Sequence, residues 1–213
     1  MSSSSYHHGH LRNALLEAAL LQIEAEGAQA LNLSKLSRQL GVSQPAVYRH
    51  FASKQALTFS LVEHGFTLLA QQLDDSTEAV GFIHMPSNDR PSPEQLLSGV
   101  EAIVQTYVDF ALEHKELARL MFSLKERVTE PTLHATSKQA AVSLMKLIEA
   151  GRQHYGLKVD SPEQALRLMW ASVHGLAMLL MDEQLPYVTK TAGEIPVHVK
   201  AIARLLCEGL FLT

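Results

Sequence analysis

The chain has 213 residues, of which 46% are hydrophobic, 6% aromatic and 19% charged. This length suits one or two compact domains, and the low aromatic content favours helices over sheets. The one cysteine, Cys207, excludes an internal disulfide framework and a multi-cysteine zinc site, and it is typical of a protein of the reducing cytoplasm. The longest uncharged apolar run, 168–181, is shorter than the ~20 residues of a membrane span, so we expect no membrane contact.

The net charge of −4 conceals an asymmetry along the chain. Residues 1–60 contain five Lys or Arg and three Glu, a net charge of +2, so the remainder carries −6. A slightly basic head on an acidic body confines any contact with a polyanion such as nucleic acid to the head.

The predicted elements are helices throughout. Residues 1–10 indicate a flexible arm, and 77–93 a loop rich in Gly, Pro, Ser and Asn. Apolar residues at helical spacing predict helices over the following ranges: 11–26, 33–40, 44–51, 54–73, 94–114, 116–124, 132–154, 162–183 and 197–211.

Residues that favour helix ends separate the first four helices. Asn32, Ser43 and Ser53 are each placed to cap the N-terminus of the helix that follows. Gly27 and Gly41 are placed to end the helices before them. The sequence therefore divides its first 60 residues into three short helices and the start of a longer one.

The second and third helices have the pattern of a helix-turn-helix. Ser37 is small where the helices cross, Gly41 tolerates a turn with positive φ, and Val47 and Phe51 face inward at i and i+4. The opposite side of the third helix then presents four residues where a recognition helix meets DNA: Gln44, Pro45, Tyr48 and Arg49. An ordinary helical hairpin with a solvated face has the same spacing, so spacing alone leaves both interpretations open.

The residues of this segment identify a family. Residues 32–57, NLSKLSRQLGVSQPAVYRHFASKQAL, closely resemble the DNA-binding signature of TetR-family transcriptional regulators. The leader YHHGHLR at 6–12 looks like one branch of that family. WASVHGL at 170–176 is similar to the Trp-His-Gly signature of that branch's C-terminal domain.

The resemblance implies two sets of DNA contacts. The set facing the bases is Gln44, Pro45, Ala46 and Arg49. The set facing phosphates is Tyr48, His50 and Lys54. Lys54 also begins a long helix, whose N-terminal dipole favours a phosphate. Because Pro45 and Ala46 carry no side-chain donors, base readout depends on Arg49, Gln44 and apolar contact with thymine methyl groups.

The resemblance also implies an effector pocket in the body. Trp170 and His174 share one helix face at i and i+4, although an apolar helix more often buries such a histidine in its core. The predicted ligand contacts are Met121, Phe122, Met145, Trp170, His174 and Met178. Few ionisable groups lie nearby, so we expect an apolar or weakly polar effector, with His174 as its hydrogen-bonding group.

Other chemistry is not indicated. His7, His8 and His10 have no carboxylate or cysteine at ligand spacing, so we expect an arm that is disordered or approaches phosphates, and no metal. No phosphate-binding loop, zinc-protease motif or nucleophile elbow is present, so the sequence predicts neither an enzyme nor a cofactor. Cys207 is interpreted as a packing residue.

These observations predict an all-α protein with a helix-turn-helix head, 1–53, and a helical effector-binding and dimerisation domain, 54–213. The resemblance implies a cytoplasmic homodimer that binds a palindromic double-stranded DNA operator, in most cases as a repressor. The alternative is a helical ligand-binding or scaffold protein without specific DNA binding. The two last helices are predicted to dimerise through an apolar stripe that one body could not cover: Leu166, Trp170, Val173, Leu180, Val199, Ile202, Leu206 and Leu210.

Overall fold

The structure, a computed structural model, describes residues 4–81, 91–124, 129–184 and 193–211, with side chains from residue 10 onward. Within these residues the secondary structure is ten α-helices, one 3₁₀ helix and one isolated β-bridge between Leu157 and Phe211. The predicted all-α class is therefore confirmed. In this described part, no helix is both long and apolar enough to cross a membrane.

The helices follow the chain with short connections. The first elements are α1 (Ser4–Glu26), the 3₁₀ helix (Ala28–Ala30), α2 (Leu33–Gln39), α3 (Gln44–His50) and α4 (Lys54–Ala79). The later ones are α5 (Pro93–Glu113), α6 (Lys115–Ser123), α7 (Pro131–Gln139), α8 (Val142–Tyr155), α9 (Pro162–Met181) and α10 (Ile195–Leu210).

Contacts divide the chain into two compact units. The first unit is Met1–Phe66 together with His114–Thr136, and the second is Thr67–Glu113 together with Ser137–Thr213. Helices α4 and α7 each contain residues of both units. A division of the chain at 53/54 stays a prediction.

Each unit has its own apolar core. In the first unit the buried side chains include Leu15, Ile23, Leu36, Val47, Phe51, Leu57 and Leu61. In the second, where α5 packs against α8, α9 and α10, they include Leu96, Val104, Phe110, Leu147, Met169, Ala177 and Phe211. Fully burying one large apolar side chain contributes ~1.5–3 kcal/mol, so these cores stabilise both units.

The N-terminal arm is a correction to the sequence prediction. Helix α1 begins at Ser4, so residues 4–10 are helical. Their pattern lacks the apolar period that marks a packed helix, but extending a helix that already exists costs far less than nucleating one. The side chains of His7 and His8 lie outside the described residues, as does most of the predicted loop 77–93.

Two other helix boundaries differ from the prediction. The segment 132–154, predicted as one helix, is two helices separated at Ala140 and Ala141. Helix α4 extends to Ala79 rather than Leu73. Neither Gly nor Pro lies at the break between α7 and α8. Ala140 is buried there, which indicates that packing decides where the break falls.

The apolar stripe predicted for dimerisation is wrong in five of its eight residues, whereas Leu166, Trp170 and Ile202 are half-buried. Val173, Leu180, Val199, Leu206 and Leu210 are buried within the chain itself, because α5 covers the inner sides of α9 and α10. The large apolar residues that these two helices leave exposed are Leu168, Leu179, Val197 and Leu205.

Candidate functional site

Helices α2 and α3 form a helix-turn-helix with a capped entrance and a glycine turn. The Asn32 side chain accepts hydrogen bonds from the backbone N–H groups of Ser34 (2.9 Å) and Lys35 (3.1 Å), which confirms the predicted cap. Gly41 has φ +65°, where L side chains are strained, and the next amide, of Val42, donates to the Ser37 carbonyl at 3.0 Å. The positive φ of Gly41 and the hydrogen bond to Ser37 therefore close the turn locally.

The caps of the next two helices differ from each other. Ser53 accepts a hydrogen bond from the Ala56 amide at 3.1 Å, as predicted for the start of α4. Ser43 occupies the N-cap position of α3, but its side chain makes no capping hydrogen bond, so that part of the prediction is wrong. Pro45 lacks an amide hydrogen, so α3 begins with one fewer donor to satisfy.

Helix α3 buries one side and exposes the other. Val47 is fully buried, and Phe51, directly after the helix, is nearly so. The exposed residues of α3 are Gln44, Pro45, Tyr48 and Arg49, and the half-buried ones are Ala46 and His50. Lys54, exposed at the start of α4, follows closely in the chain. The seven predicted DNA contacts therefore lie within one short segment of the first unit.

The two cations among these seven residues, Arg49 and Lys54, already make hydrogen bonds within the protein. Arg49 Nε donates to the Pro45 carbonyl at 3.3 Å, and Lys54 Nζ donates to the Gln29 carbonyl at 2.8 Å. An ammonium has three donors and a guanidinium five, so both side chains keep further donors for another acceptor. Lys54 thus connects α4 to the 3₁₀ helix while its charge stays at the surface.

The electrostatics of this segment favour an anion. Residues 27–62 contain four Lys or Arg and no Asp or Glu, although the whole chain is acidic. Lys35 pairs with Glu26 of α1, both side chains being nearly half exposed. The other three cations, Arg38, Arg49 and Lys54, are exposed. A polyanion that approached α3 would meet excess positive charge.

Arg12 of α1 supports the end of α3, a role that no sequence pattern indicates. Its guanidinium lies over the Phe51 ring, 5.3 Å from the centroid, and donates to Ser60 Oγ at 3.1 Å. The side chain therefore connects α1 to the end of α3 and to α4. These partners are far from Arg12 in sequence, so local periodicity could not predict the contact.

In the second unit, Trp170 and His174 form a cluster with Tyr107 of α5. The Tyr107 hydroxyl and His174 Nδ1 are 2.8 Å apart, a hydrogen bond. The Tyr107 ring meets the Trp170 ring edge to face, with 5.5 Å between centroids. Tyr107 is buried, whereas Trp170 and His174 are half-buried. Sequence reasoning missed Tyr107 because it lies 67 residues from His174.

The other predicted ligand contacts are divided between the units. Met145 and Met178 belong to the second unit and are half-buried. Met121 and Phe122 belong to the first unit, where Met121 is fully buried. Phe122 meets Phe66 edge to face at 5.6 Å. Of the six predicted ligand contacts, Trp170 and His174 are connected by the contacts described above, because each of them contacts Tyr107.

The potential metal ligands of the described residues are not clustered. No cluster of three His, Cys, Asp or Glu suited to a metal ion occurs among them, and His10 is exposed. Burial raises the pKa of the Cys207 thiol to about 12. The thiol therefore stays protonated at neutral pH and acts as a packing group.

Two family models match the chain. The model described as bacterial regulatory proteins, tetR family, matches residues 15–61, which include all of α2 and α3. The model described as tetracyclin repressor-like, C-terminal domain, matches residues 100–196.

Among curated proteins, the chain is similar to an uncharacterised HTH-type transcriptional regulator, YobS, of Bacillus subtilis. The two are 28% identical over 106 residues, 50% of this chain and 48% of YobS. The chain is also 33% identical over 100 residues to the nucleoid occlusion factor SlmA of Vibrio campbellii, covering 41% of this chain and 51% of SlmA. It thus spans about half the length of each relative.

Solved structures resemble the whole chain. A Rhodococcus protein of unknown function superposes with a TM-score of 0.79 at 26% identity, covering 98% of this chain and 100% of that one. FadR of Bacillus subtilis, solved with stearoyl-CoA, has a TM-score of 0.67 at 15% identity, with 92% and 97% covered. The TetR-family regulator PfmR of Thermus thermophilus has a TM-score of 0.58 at 18% identity, with the same coverage. These structures show the fold, and the matches of residues 15–61 and 100–196 to the N-terminal and C-terminal models of one family show that the chain belongs to the TetR family of transcriptional regulators.

Proposed function

We propose that this protein is a cytoplasmic, dimeric repressor that binds a palindromic DNA operator through α3 and releases it when a small molecule binds the second unit. The observation that carries the proposal is the exposed side of α3. Gln44, Pro45, Tyr48 and Arg49 are exposed there, in a 36-residue segment, 27–62, without an acidic residue. A recognition helix requires this combination of exposed side chains and positive potential.

Arg49 and Lys54 have different roles in this proposal. Arg49 is exposed on α3 and suits direct contact with a base edge, where a guanidinium donates to two acceptors of guanine. Lys54 retains donors beyond the one that binds the Gln29 carbonyl, and it begins α4, so it suits a phosphate. Gln44, Pro45 and Ala46 complete the base-facing side, and Tyr48 and His50 the phosphate side.

Replacing each cation by alanine tests these roles. Arg49→Ala should weaken operator binding by ~1–3 kcal/mol and relax sequence preference at one position of the half-site. Lys54→Ala should weaken binding to all sequences alike. It should also reduce the magnitude of the slope of log K against log salt concentration by about one. The measurement is a gel-shift titration at several salt concentrations, with a duplex that the wild-type protein selects from a random pool.

Lys138→Ala is the matched control, because Lys138 is an exposed cation of α7 in the second unit. It should leave both affinity and salt dependence unchanged. If Arg49→Ala and Lys54→Ala bind as tightly as Lys138→Ala, α3 does not contact DNA. The helical scaffold without specific DNA binding then becomes the better interpretation.

The proposed dimer sets the form of the operator. In a two-fold dimer the recognition helices reach successive major grooves, ~34–36 Å or a multiple apart, so the two half-sites are inverted repeats. A ligand lowers operator affinity only if it favours a conformation in which the two recognition helices lie at a different distance from each other. Helix α4 is the proposed lever, because it begins at Lys54 in the first unit and ends in the second.

The proposed effector site is built around Trp170 and His174. Their contacts with Tyr107 supply a polar group in an otherwise apolar part of the second unit, which suits a hydrophobic ligand with one hydrogen-bonding atom. Met145 and Met178, which belong to the same unit, are proposed as its flexible apolar walls. Assignment of this unit to the Trp-His-Gly branch rests on Trp170, His174 and Gly175 and stays a prediction.

Trp170 is the chain's only tryptophan, so its fluorescence reports on this site. A panel of apolar compounds, supplemented by a long-chain acyl-CoA with its apolar chain and anionic coenzyme A group, should contain some that change the fluorescence and lower operator affinity over the same concentration range. His174→Ala should weaken that coupling, whereas His154→Ala, a histidine of α8, should not. Compounds that release the operator without any change at Trp170 would place the effector elsewhere.

A further inference from the structure

Helix α6 lies in the C-terminal half of the sequence, but its contacts place it in the first unit, with the helix-turn-helix. The C-terminal family model, residues 100–196, contains all of α6. Contacts place 114–136, and so α6, in the first unit with α1, α2 and α3. The chain leaves the second unit after Glu113, forms α6, and returns at Ser137. The segment 114–136 is therefore joined along the chain to the second unit at both of its ends.

A carboxylate of α1 holds the N-terminus of α6. The side chain of His114, at the N-cap position, makes no capping hydrogen bond. Glu24 accepts two instead, from the backbone N–H of Glu116 at 3.1 Å and of Leu117 at 2.9 Å. Such bonds to a carboxylate are charge-assisted, and the negative charge also complements the helix dipole. Glu24 thus caps a helix that lies 92 residues further along the chain.

The other side of α6 packs against α4, within the first unit. A Cβ atom at Gly65 would lie 2.5 Å from Met121 Sδ and 3.2 Å from the Leu117 side chain, so a larger residue at position 65 would force these side chains to move. The edge-to-face contact of Phe66 and Phe122 lies beside it. Helix α6 is therefore fixed by α1 at its N-terminus and by α4 along its length.

The end of α1 that holds α6 also holds the start of the helix-turn-helix. Gln22 Nε2 donates to the Ala30 carbonyl at 2.9 Å, and Gln22 Oε1 accepts from the backbone N–H of Asn32 at 3.4 Å. Asn32 in turn caps α2. Glu24 lies two residues after the buried Gln22 on the same helix. One turn of α1 therefore positions both α6 and α2.

We propose that Glu24 is a positioning residue for operator binding: its double cap on α6 keeps the end of α1, and with it α2 and α3, in the arrangement that binds the operator. The proposal rests on the proposed function but assigns a residue outside the DNA-binding surface.

The test compares Glu24→Gln and Glu24→Ala with the wild type. Glutamine keeps one acceptor oxygen, whereas alanine keeps none, and both remove the same charge. Affinity for the selected operator should fall in the order wild type, Gln, Ala, with a loss of about tenfold for Ala. Binding to an unrelated duplex should stay unchanged, because the exposed cations of α3 and α4 remain. Glu17→Gln, an exposed change of equal charge on α1, should behave as wild type.

Two further measurements separate positioning from general stability. Affinities are measured where circular dichroism shows every variant to be fully folded, so that a lower melting temperature alone changes nothing. Hydrogen exchange should show faster exchange of the Glu116 and Leu117 amides in both variants, while α5 amides stay protected. If the α6 amides exchange faster but operator affinity is unchanged, Glu24 is only a structural cap.

Unchanged exchange and affinity would overturn the proposal in full. A wild-type protein that selects no duplex from the pool would instead refute the proposed function, and the operator-binding role of Glu24 with it. The two failures are therefore distinguished by the wild-type selection, which precedes any test of a variant.

Discussion

At the scale of single residues, Gly151 shows how one missing side chain shapes the second unit. A Cβ atom at this position of α8 would lie 2.3 Å from the ring of Phe211, a residue that is fully buried. Phe211 is held there by its β-bridge to Leu157 and by the bond from the Lys158 amide to the Leu210 carbonyl at 2.8 Å. Gly151 therefore provides the space in which the end of α10 packs.

Gly151→Ala should destabilise the protein although alanine is the better helix former. The added methyl group forces the Phe211 ring to move, and overpacking of this kind costs ~1–3 kcal/mol. The free energy of unfolding from urea titrations, at one fixed protein concentration, measures the effect.

A double-mutant cycle isolates the cause of that loss. In a Phe211→Ala background the clash is absent, so Gly151→Ala should instead stabilise by ~0.5–1 kcal/mol through helix propensity. An equal loss in both backgrounds would show that the Phe211 ring is not what glycine accommodates.

At the scale of elements, the helix ends marked by local chemistry match the sequence predictions except for the cap by Ser43, whereas the break set by packing does not. Asn32 and Ser53 cap their helices as expected, and Gly27 and Gly41 adopt positive φ after α1 and α2. The break between α7 and α8 falls at two alanines, good helix formers, so no residue there announces it.

That break has a consequence for the second unit. Near the start of α8, the buried Ser143 donates to Asp74 of α4 at 2.6 Å, and Lys146 Nζ lies 3.7 Å from the same carboxylate oxygen. Because α8 starts anew at Val142, its direction is free to follow this contact. A single helix over 132–154 would not have that freedom.

At the scale of the whole molecule, the exposed side of α9 and α10 supports the proposed dimer. Val197 and Leu205 of α10 are 62% and 63% exposed, and Leu168 and Leu179 of α9 are exposed as well. A groove of about 450 Å³ along α10 is lined by Val197, Lys200, Ala201, Arg204, Leu205 and Glu208. In the proposed dimer this surface would meet its own copy across a two-fold axis, so that its apolar residues bury one another.

Leu205→Glu should convert the proposed dimer to a monomer. In a two-fold interface the substitution places two carboxylates in an apolar environment, where desolvation and repulsion oppose association. Multi-angle light scattering measures the mass. Operator affinity should fall when the dimer is lost, because a monomer has one head and contacts only one half-site.

Leu21→Glu is the matched control, since Leu21 of α1 is 66% exposed and lies in the first unit. The same substitution there should leave the mass unchanged. A Leu205→Glu protein with the wild-type mass would move the interface away from this part of α10.

The amino-acid sequence by itself determined the features that depend on neighbours within a few residues. The helical period buries Val47 and leaves Tyr48 and Arg49 exposed, and side-chain caps and glycines set where the short helices begin and end. Only the tertiary structure decided which residues meet across long separations. It placed Tyr107 against His174 and Glu24 on the N-terminus of α6, and it buried the apolar stripe of α10 under α5. A sequence pattern records which side of a helix is apolar, but the partner that covers that side is set by how all the helices pack together.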